Sequence, residues 1–105
     1  MSTINLVDTA RSLGTAWKST IVGMAANANI KVLRMDEMAY AAETHDFAEA
    51  LLVLEGCMNL EIAGNIVQVH AGHVHIVPAG LPHAVAAGSW GTLVIVDQAV
   101  QDATS

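Results

Sequence analysis

The sequence is short of the residues on which several classes of protein depend. Its 105 residues include one cysteine and four basic side chains, and only 4% of them are aromatic. The single cysteine, Cys57, excludes a disulfide within the chain. Four basic residues against ten acidic ones give a formal net charge of −6, which leaves too little positive charge for the basic stripe of a nucleic-acid surface. The same shortage argues against binding to an anionic membrane surface.

Long hydrophobic runs are also absent. No uncharged apolar segment reaches the roughly 18 residues of a candidate membrane-spanning helix. Residues 1–13 carry Asp8 and Arg11 among their apolar residues, so they lack the apolar core of a signal peptide. These absences predict a soluble cytoplasmic protein. The length suits one domain, and we expect residues 1–105 to form it, with residues 1–13 as a loose arm or a short helix.

What the sequence does have is a series of short apolar runs separated by turn residues. The sequence Ala63-Gly64-Asn65 is typical of a tight hairpin, and Gly56 is expected to end the run before it. Residues 39–52 are rich in helix-forming Ala and Glu, but Thr44-His45-Asp46-Phe47 interrupts them. Many short strands at close spacing predict an all-β sandwich or barrel. The predicted strands cover residues 17–23, 30–35, 51–55, 58–62, 66–69, 73–77, 83–86 and 92–96.

Two short segments carry a family resemblance, and with the spacer between them they cover about forty residues. Residues 43–56 and 72–83 resemble the two motifs of the cupins. The first motif is matched by its second histidine, its glutamate and its glycine, which are His45, Glu49 and Gly56. The second motif is matched at every position, by Gly72, Pro78, Gly80 and His83. The resemblance implies a cupin-type double-stranded β-helix, which is a jelly-roll barrel.

The chain departs from the cupin pattern at three positions. Glu43 stands where the first motif has its first histidine, Glu37 replaces a glycine, and Ala87 replaces an asparagine of the second motif. Only the first of these changes affects the metal site that the resemblance implies. In that site His45, Glu49 and His83 would hold the ion, with Glu43 as a fourth ligand or a general base.

The residue types support the same site without the resemblance. Residues two apart in an extended segment share a face, so Glu43 and His45 are expected to point the same way. Two histidines and a carboxylate with open positions suit Fe(II), and Mn or Zn would also fit. Of the other histidines, His75 lies within a predicted strand that could turn it toward the barrel interior, but we do not expect it to contact the metal or a ligand.

Several functions fit this pattern, because one fold hosts many activities. We expect a divalent-metal-dependent enzyme, oxygenase-like or isomerase-like, that acts on a small organic molecule inside the barrel. A metal-free cupin that binds a small ligand without catalysis is the alternative. A metal-free isomerase that uses the Glu43–Glu49 pair is a third possibility. A homodimer is also expected, because a small barrel leaves apolar surface and strand edges to cover. The residues that we expect to contribute to this interface are Ile4, Leu6, Trp17 and Ile21.

Overall fold

We analysed a computed structural model of the protein, which describes residues 3–99. One short helix, α1 (Leu6–Ser12), precedes eight strands. The strands are β1 (Thr20–Ala25), β2 (Ala28–Asp36), β3 (Tyr40–Glu43), β4 (Glu49–Ile62), β5 (Asn65–His70), β6 (Val74–Val77), β7 (His83–Val85) and β8 (Trp90–Gln98). The predicted all-β jelly-roll barrel is confirmed. Over residues 3–99, no helix is long and apolar enough to cross a membrane.

Strand β4 is the centre of the barrel. Its first half lies between β6 and β8, and its second half lies between β5 and β7. The sheet continues from β8 through β2 to β1 on one side, and from β7 to β3 on the other. All of these pairs are antiparallel. Two layers therefore share one long strand and curl around a common interior.

The prediction that Gly56 ends a strand is wrong, because β4 continues through it. The register of β4 against β8 shifts between Val53 and Glu55, and Gly56 follows with a φ of +86°. A Cβ atom at Gly56 would lie 1.9 Å from the carbonyl oxygen of Trp90, and one at Gly91 would lie 2.0 Å from the carbonyl oxygen of Glu55. The two strands can approach this closely only because glycine stands on both sides.

The alternating apolar residues fill two hydrophobic clusters. The larger one lies inside the barrel, and the smaller one lies between the outer face of the sheet and α1. The N-terminal segment was expected to be a loose arm or a short helix, and residues 6–12 form the helix. Ala10 of this helix packs against Val32 and Val94. The larger cluster contains Leu33, Met35, Leu51, Val53, Met58, Leu60, Val69, Val77, Val85 and Leu93.

An ion pair also ties α1 to the sheet. The Arg11 guanidinium donates a hydrogen bond to the carboxylate of Glu55. This hydrogen bond lowers the pKa of Glu55, and the same contact raises the pKa of Arg11. The pair is partly open to solvent, so we treat it as a positional contact and not as a main source of stability.

The first predicted strand begins later than its apolar residues suggest. Trp17 has a φ of 67° and lies in a turn, and β1 starts at Thr20. The indole Nε1–H donates to the carboxylate of Asp36, and the ring stacks on Tyr40 with centroids 5.6 Å apart. This turn places an aromatic side chain beside the barrel interior.

Candidate metal centre

The turn before β7 positions two histidines at once. Residues 78–81 turn the chain between β6 and β7, and Gly80 adopts a φ of +79°, which glycine tolerates without strain. The backbone N–H of Gly80 donates to the carbonyl oxygen of His45 at 2.7 Å. His83 begins β7 directly after this turn. The glycine spacing of the second motif therefore fixes the loop that carries His45 as well as the strand that carries His83.

His83 is held from both sides of its ring. Its Nδ1 lies 3.1 Å from the carbonyl oxygen of Leu81, and its Nε2 lies 2.8 Å from Oε1 of Glu49. A carbonyl oxygen only accepts hydrogen bonds, so Nδ1 carries a proton. The other nitrogen is thereby directed at a carboxylate, and both side chains are buried, with 6% and 7% of their surfaces exposed.

The remaining two candidates lie around the same point. His45 follows β3 in a loop, with its ring stacked on Phe47 at a centroid distance of 5.0 Å. Its Nε2 lies 3.7 Å from Oε2 of Glu43 and 3.9 Å from Oε1 of Glu49. Glu43, His45 and His83 each offer one ligand atom, and these three atoms lie within 4.8 Å of one another. The structure therefore brings together all four side chains that the sequence singled out.

The donor set fits a divalent metal ion. In the neutral imidazole of His83, the lone pair of Nε2 faces a carboxylate oxygen at hydrogen-bond distance. Two acceptors this close need a cation between them, which is either a shared proton or a metal ion. A hydrogen bond from the other ring nitrogen to a backbone carbonyl is the usual support of a metal-binding histidine. Two imidazole nitrogens and two carboxylates suit Fe, Mn or Zn.

Two adjoining cavities open beside this cluster. One has a volume of about 110 Å³ and the other about 50 Å³. Trp17, Tyr40, Glu43 and Glu49 line both of them. The larger cavity also has a polar wall, and the smaller one reaches the apolar core. The residues that line only the larger cavity are Ser19, Lys31, His45 and Asp97.

The sequence pattern does not single out two polar residues of this lining, Lys31 and Asp97. Trp17, which we expected at a dimer interface, lines both cavities instead. The alternation of β2 could have identified Lys31, because it shares the inward face with Leu33. His75 is a residue of β6 and pairs with Leu51 of β4. Within the described chain it lines neither of the two cavities.

Comparison with known proteins agrees with this fold. The cupin domain family model matches residues 33–97. No curated protein sequence matches the chain significantly. A cupin-2 domain containing protein of Shewanella frigidimarina has a similar structure, with a TM-score of 0.82 and 20% identity over 90% of this chain and 93% of that one.

Two further solved structures are similar along nearly the whole chain. A protein of Neisseria meningitidis has a TM-score of 0.80 and 21% identity, and the match covers 93% of this chain and 100% of that one. An RmlC-like cupin of Desulfovibrio desulfuricans has a TM-score of 0.76 and 20% identity, covering 93% and 96% of the two chains. At these identities the structures support the fold alone.

Proposed function

The chain belongs to the cupin family, and from this premise we propose that it binds a divalent metal ion and uses it to act on a small organic molecule. The ligands would be His45, Glu49 and His83, with Glu43 as a fourth ligand or as a general base. The observation that carries the proposal is the Nε2 atom of His83, directed at Glu49 while its Nδ1 is occupied by Leu81. That arrangement prepares the ring to accept a cation.

A bound Fe, Mn or Zn ion would act as a Lewis acid toward an oxygen atom of the ligand. The protein's own side chains would do the rest. Glu43 lines both cavities and is the more exposed of the two carboxylates, so it is placed to take a proton from the ligand. Leu33 and Ile95 line both cavities too and add apolar surface beside the carboxylates. An oxygenase-like or an isomerase-like reaction suits this arrangement.

Metal uptake tests the proposal directly. Protein prepared without an affinity tag is exposed separately to Fe(II), Mn and Zn, and its metal content is measured by elemental analysis after dialysis. We expect one ion per chain, lost in His83→Ala and in His45→Ala. The second variant removes a half-buried loop side chain, so it remains informative when the buried substitution fails to fold.

The matched control is His70→Ala, which removes an exposed histidine at the end of β5. This variant should bind the ion as the wild type does. Wild-type protein that takes up none of the three metals, or a folded His45→Ala variant with unchanged uptake, would contradict the proposal.

A metal-free function is the second candidate, and one contact favours it. The 2.8 Å hydrogen bond between His83 and Glu49 already satisfies both buried groups when a proton lies between them. The barrel would then be a binding site without catalysis, or a metal-free isomerase. Absence of metal uptake by the wild-type protein would favour these metal-free functions over the metal-dependent one. Exchange of solvent deuterium into a bound carbonyl compound would then separate the isomerase from the binding protein.

A further inference from the structure

One wall of the larger cavity carries its own polar network. Lys31 of β2 donates to Oδ2 of Asp97 at 2.7 Å, and Asn29 donates to Oδ1 of the same carboxylate at 3.1 Å. Asp97 and Asn29 are each only 6% exposed. Asn29 and Asp97 are also directly paired in the ladder between β2 and β8. Two strands and a buried carboxylate therefore fix the position of the Lys31 side chain.

The Lys31 ammonium group has more N–H donors than hydrogen-bonded partners. An ammonium group has three N–H donors, and within residues 3–99 its one hydrogen-bonded partner is Asp97. Lys31 lines the larger cavity together with the hydroxyl-bearing Ser19. The cavity thus offers free donors from Lys31 and a donor and acceptor from Ser19 at this wall. A ligand hydroxyl, which both donates and accepts, matches such a surface.

The charge of the cavity opposes an anionic ligand. Glu43, Glu49 and Asp97 contribute three carboxylates against the one ammonium of Lys31. The cavity therefore has a formal excess of two negative charges. One bound divalent ion would bring its net charge to zero but would not make it positive. An anion therefore meets repulsion without metal and no net attraction with it. An uncharged ligand avoids this opposition.

The third wall is aromatic. The Trp17 and Tyr40 rings are stacked at a centroid distance of 5.6 Å with 22° between their planes, and both residues line the two cavities. Aromatic faces give apolar contact area to the C–H groups of a ligand. The cavities are smaller than the roughly 300–1,000 Å³ of drug-sized pockets, so the ligand is small.

We propose that Lys31 is a specificity-determining residue and that the cavity takes a small uncharged polyhydroxy compound, one hydroxyl of which accepts a hydrogen bond from Lys31. The proposal rests on the proposed function for the rest of the ligand, which would meet the cluster of Glu43, His45, Glu49 and His83. The contact with Lys31 itself needs only the network on β2 and β8.

Glycerol and glycerate are the test probes, because they differ by one carboxylate in place of a CH2OH group. The two indole N–H signals in an NMR titration report binding. Trp17 lines both cavities, whereas Trp90 is exposed at the start of β8 and lines neither of them. We expect a saturable shift of the Trp17 signal and not of the Trp90 signal, with tighter binding of glycerol than of glycerate in metal-free and metal-loaded protein.

The double variant Lys31→Met with Asp97→Asn removes the ion pair without leaving a buried charge unpaired. It should bind glycerol roughly tenfold more weakly or worse, which is the effect of losing a hydrogen bond from a charged donor. The control Lys18→Met removes an exposed lysine from the adjacent loop and should leave glycerol affinity unchanged. Metal uptake by the double variant should equal that of the wild type, so that loss of the Lys31 contact is distinguishable from failure of the metal site.

Three results would overturn the inference. Equal glycerol affinity in the double variant and the wild type would remove Lys31 from the ligand contact. Glycerate binding as tightly as glycerol, or more tightly, would refute the uncharged ligand class. Absence of a saturable Trp17 shift with either probe would refute the ligand class and the contact together.

Discussion

At the scale of single residues, Glu43 distinguishes this site from the cupin pattern of three histidines and one glutamate. Its Oε2 lies 3.7 Å from Nε2 of His45, close enough for both to reach one ion. A divalent ion held by Glu43 and Glu49 would have its charge cancelled by two carboxylates. The same ion held by one carboxylate would keep a single positive charge. The glutamate therefore sets both the hardness and the net charge of the proposed site.

The variant Glu43→His tests this role. If Glu43 is a ligand, the variant should favour nickel over manganese more than the wild type does, by roughly tenfold or about 1.4 kcal/mol, because imidazole is the softer ligand. It should also bind oxalate more tightly, since the ion regains a positive charge. Competitive metal titrations and calorimetry measure both effects.

The control for this variant makes the same change of charge outside the cavities. Glu37→His replaces an exposed glutamate and should match the wild type in metal preference and oxalate affinity. Wild-type behaviour of Glu43→His in both measurements would show that Glu43 is not a ligand.

At the scale of secondary structure, β4 is the element on which the site depends. Glu49 begins this strand, and the strand pairs with four others along its length. It bends at the register shift after Val53 and passes Gly56, where it lies closest to β8. This bend lets one strand belong to both layers of the barrel, which places Glu49 opposite His83.

Alanine at Gly56 or Gly91 should therefore destabilise the whole barrel. Each substitution places a Cβ within 2.0 Å of a backbone oxygen of the other strand and adds a side chain at positive φ. We expect each to lower the free energy of unfolding by roughly 2–5 kcal/mol. Urea denaturation followed by circular dichroism measures the change.

Gly23→Ala is the matched control, because Gly23 also lies in a strand, yet a Cβ added there would meet no atom within 4 Å and its φ is not positive. Its free energy of unfolding should stay within about 0.5 kcal/mol of the wild-type value. Equal stability of the Gly56→Ala variant and this control would mean that β4 and β8 separate at little cost.

At the scale of the whole molecule, the outer surface retains apolar side chains. Of the residues proposed for a dimer interface, Trp17 lines the cavities and Leu6 packs against the smaller hydrophobic cluster. Ile4 and Ile21 are exposed, at 42% and 55% of their surfaces. Within the described chain β1 pairs with β2 alone, so its second edge is open. An open, apolar edge strand is a surface that proteins usually cover.

We therefore keep the prediction of a homodimer and locate its interface at β1. Light scattering on a sizing column should give twice the monomer mass at micromolar concentration, and Ile21→Lys should shift it to the monomer mass. The control Ile66→Lys changes a similarly exposed isoleucine on β5 and should remain dimeric. A wild-type monomer at that concentration would contradict the prediction.

The sequence by itself determined the features that depend on neighbouring residues. Gly80 and Pro78 specify the turn before His83, and Ala63-Gly64 specifies a hairpin, since positive φ and fixed φ are local properties. The period of two along β5 and along the second half of β4 follows from side-chain alternation. These local signals, together with the motif spacing, were enough to predict the barrel and to single out the four residues that lie together in the candidate metal centre.

Only the tertiary structure decided how distant strands meet. It carries β4 through Gly56, because the partner strand offers Gly91 at the point of closest approach. It joins Lys31 to Asp97, which are 66 residues apart, across one cavity wall. The physical reason is that register and cavity walls are set by the simultaneous packing of many strands. No single stretch of sequence contains both partners of such a contact.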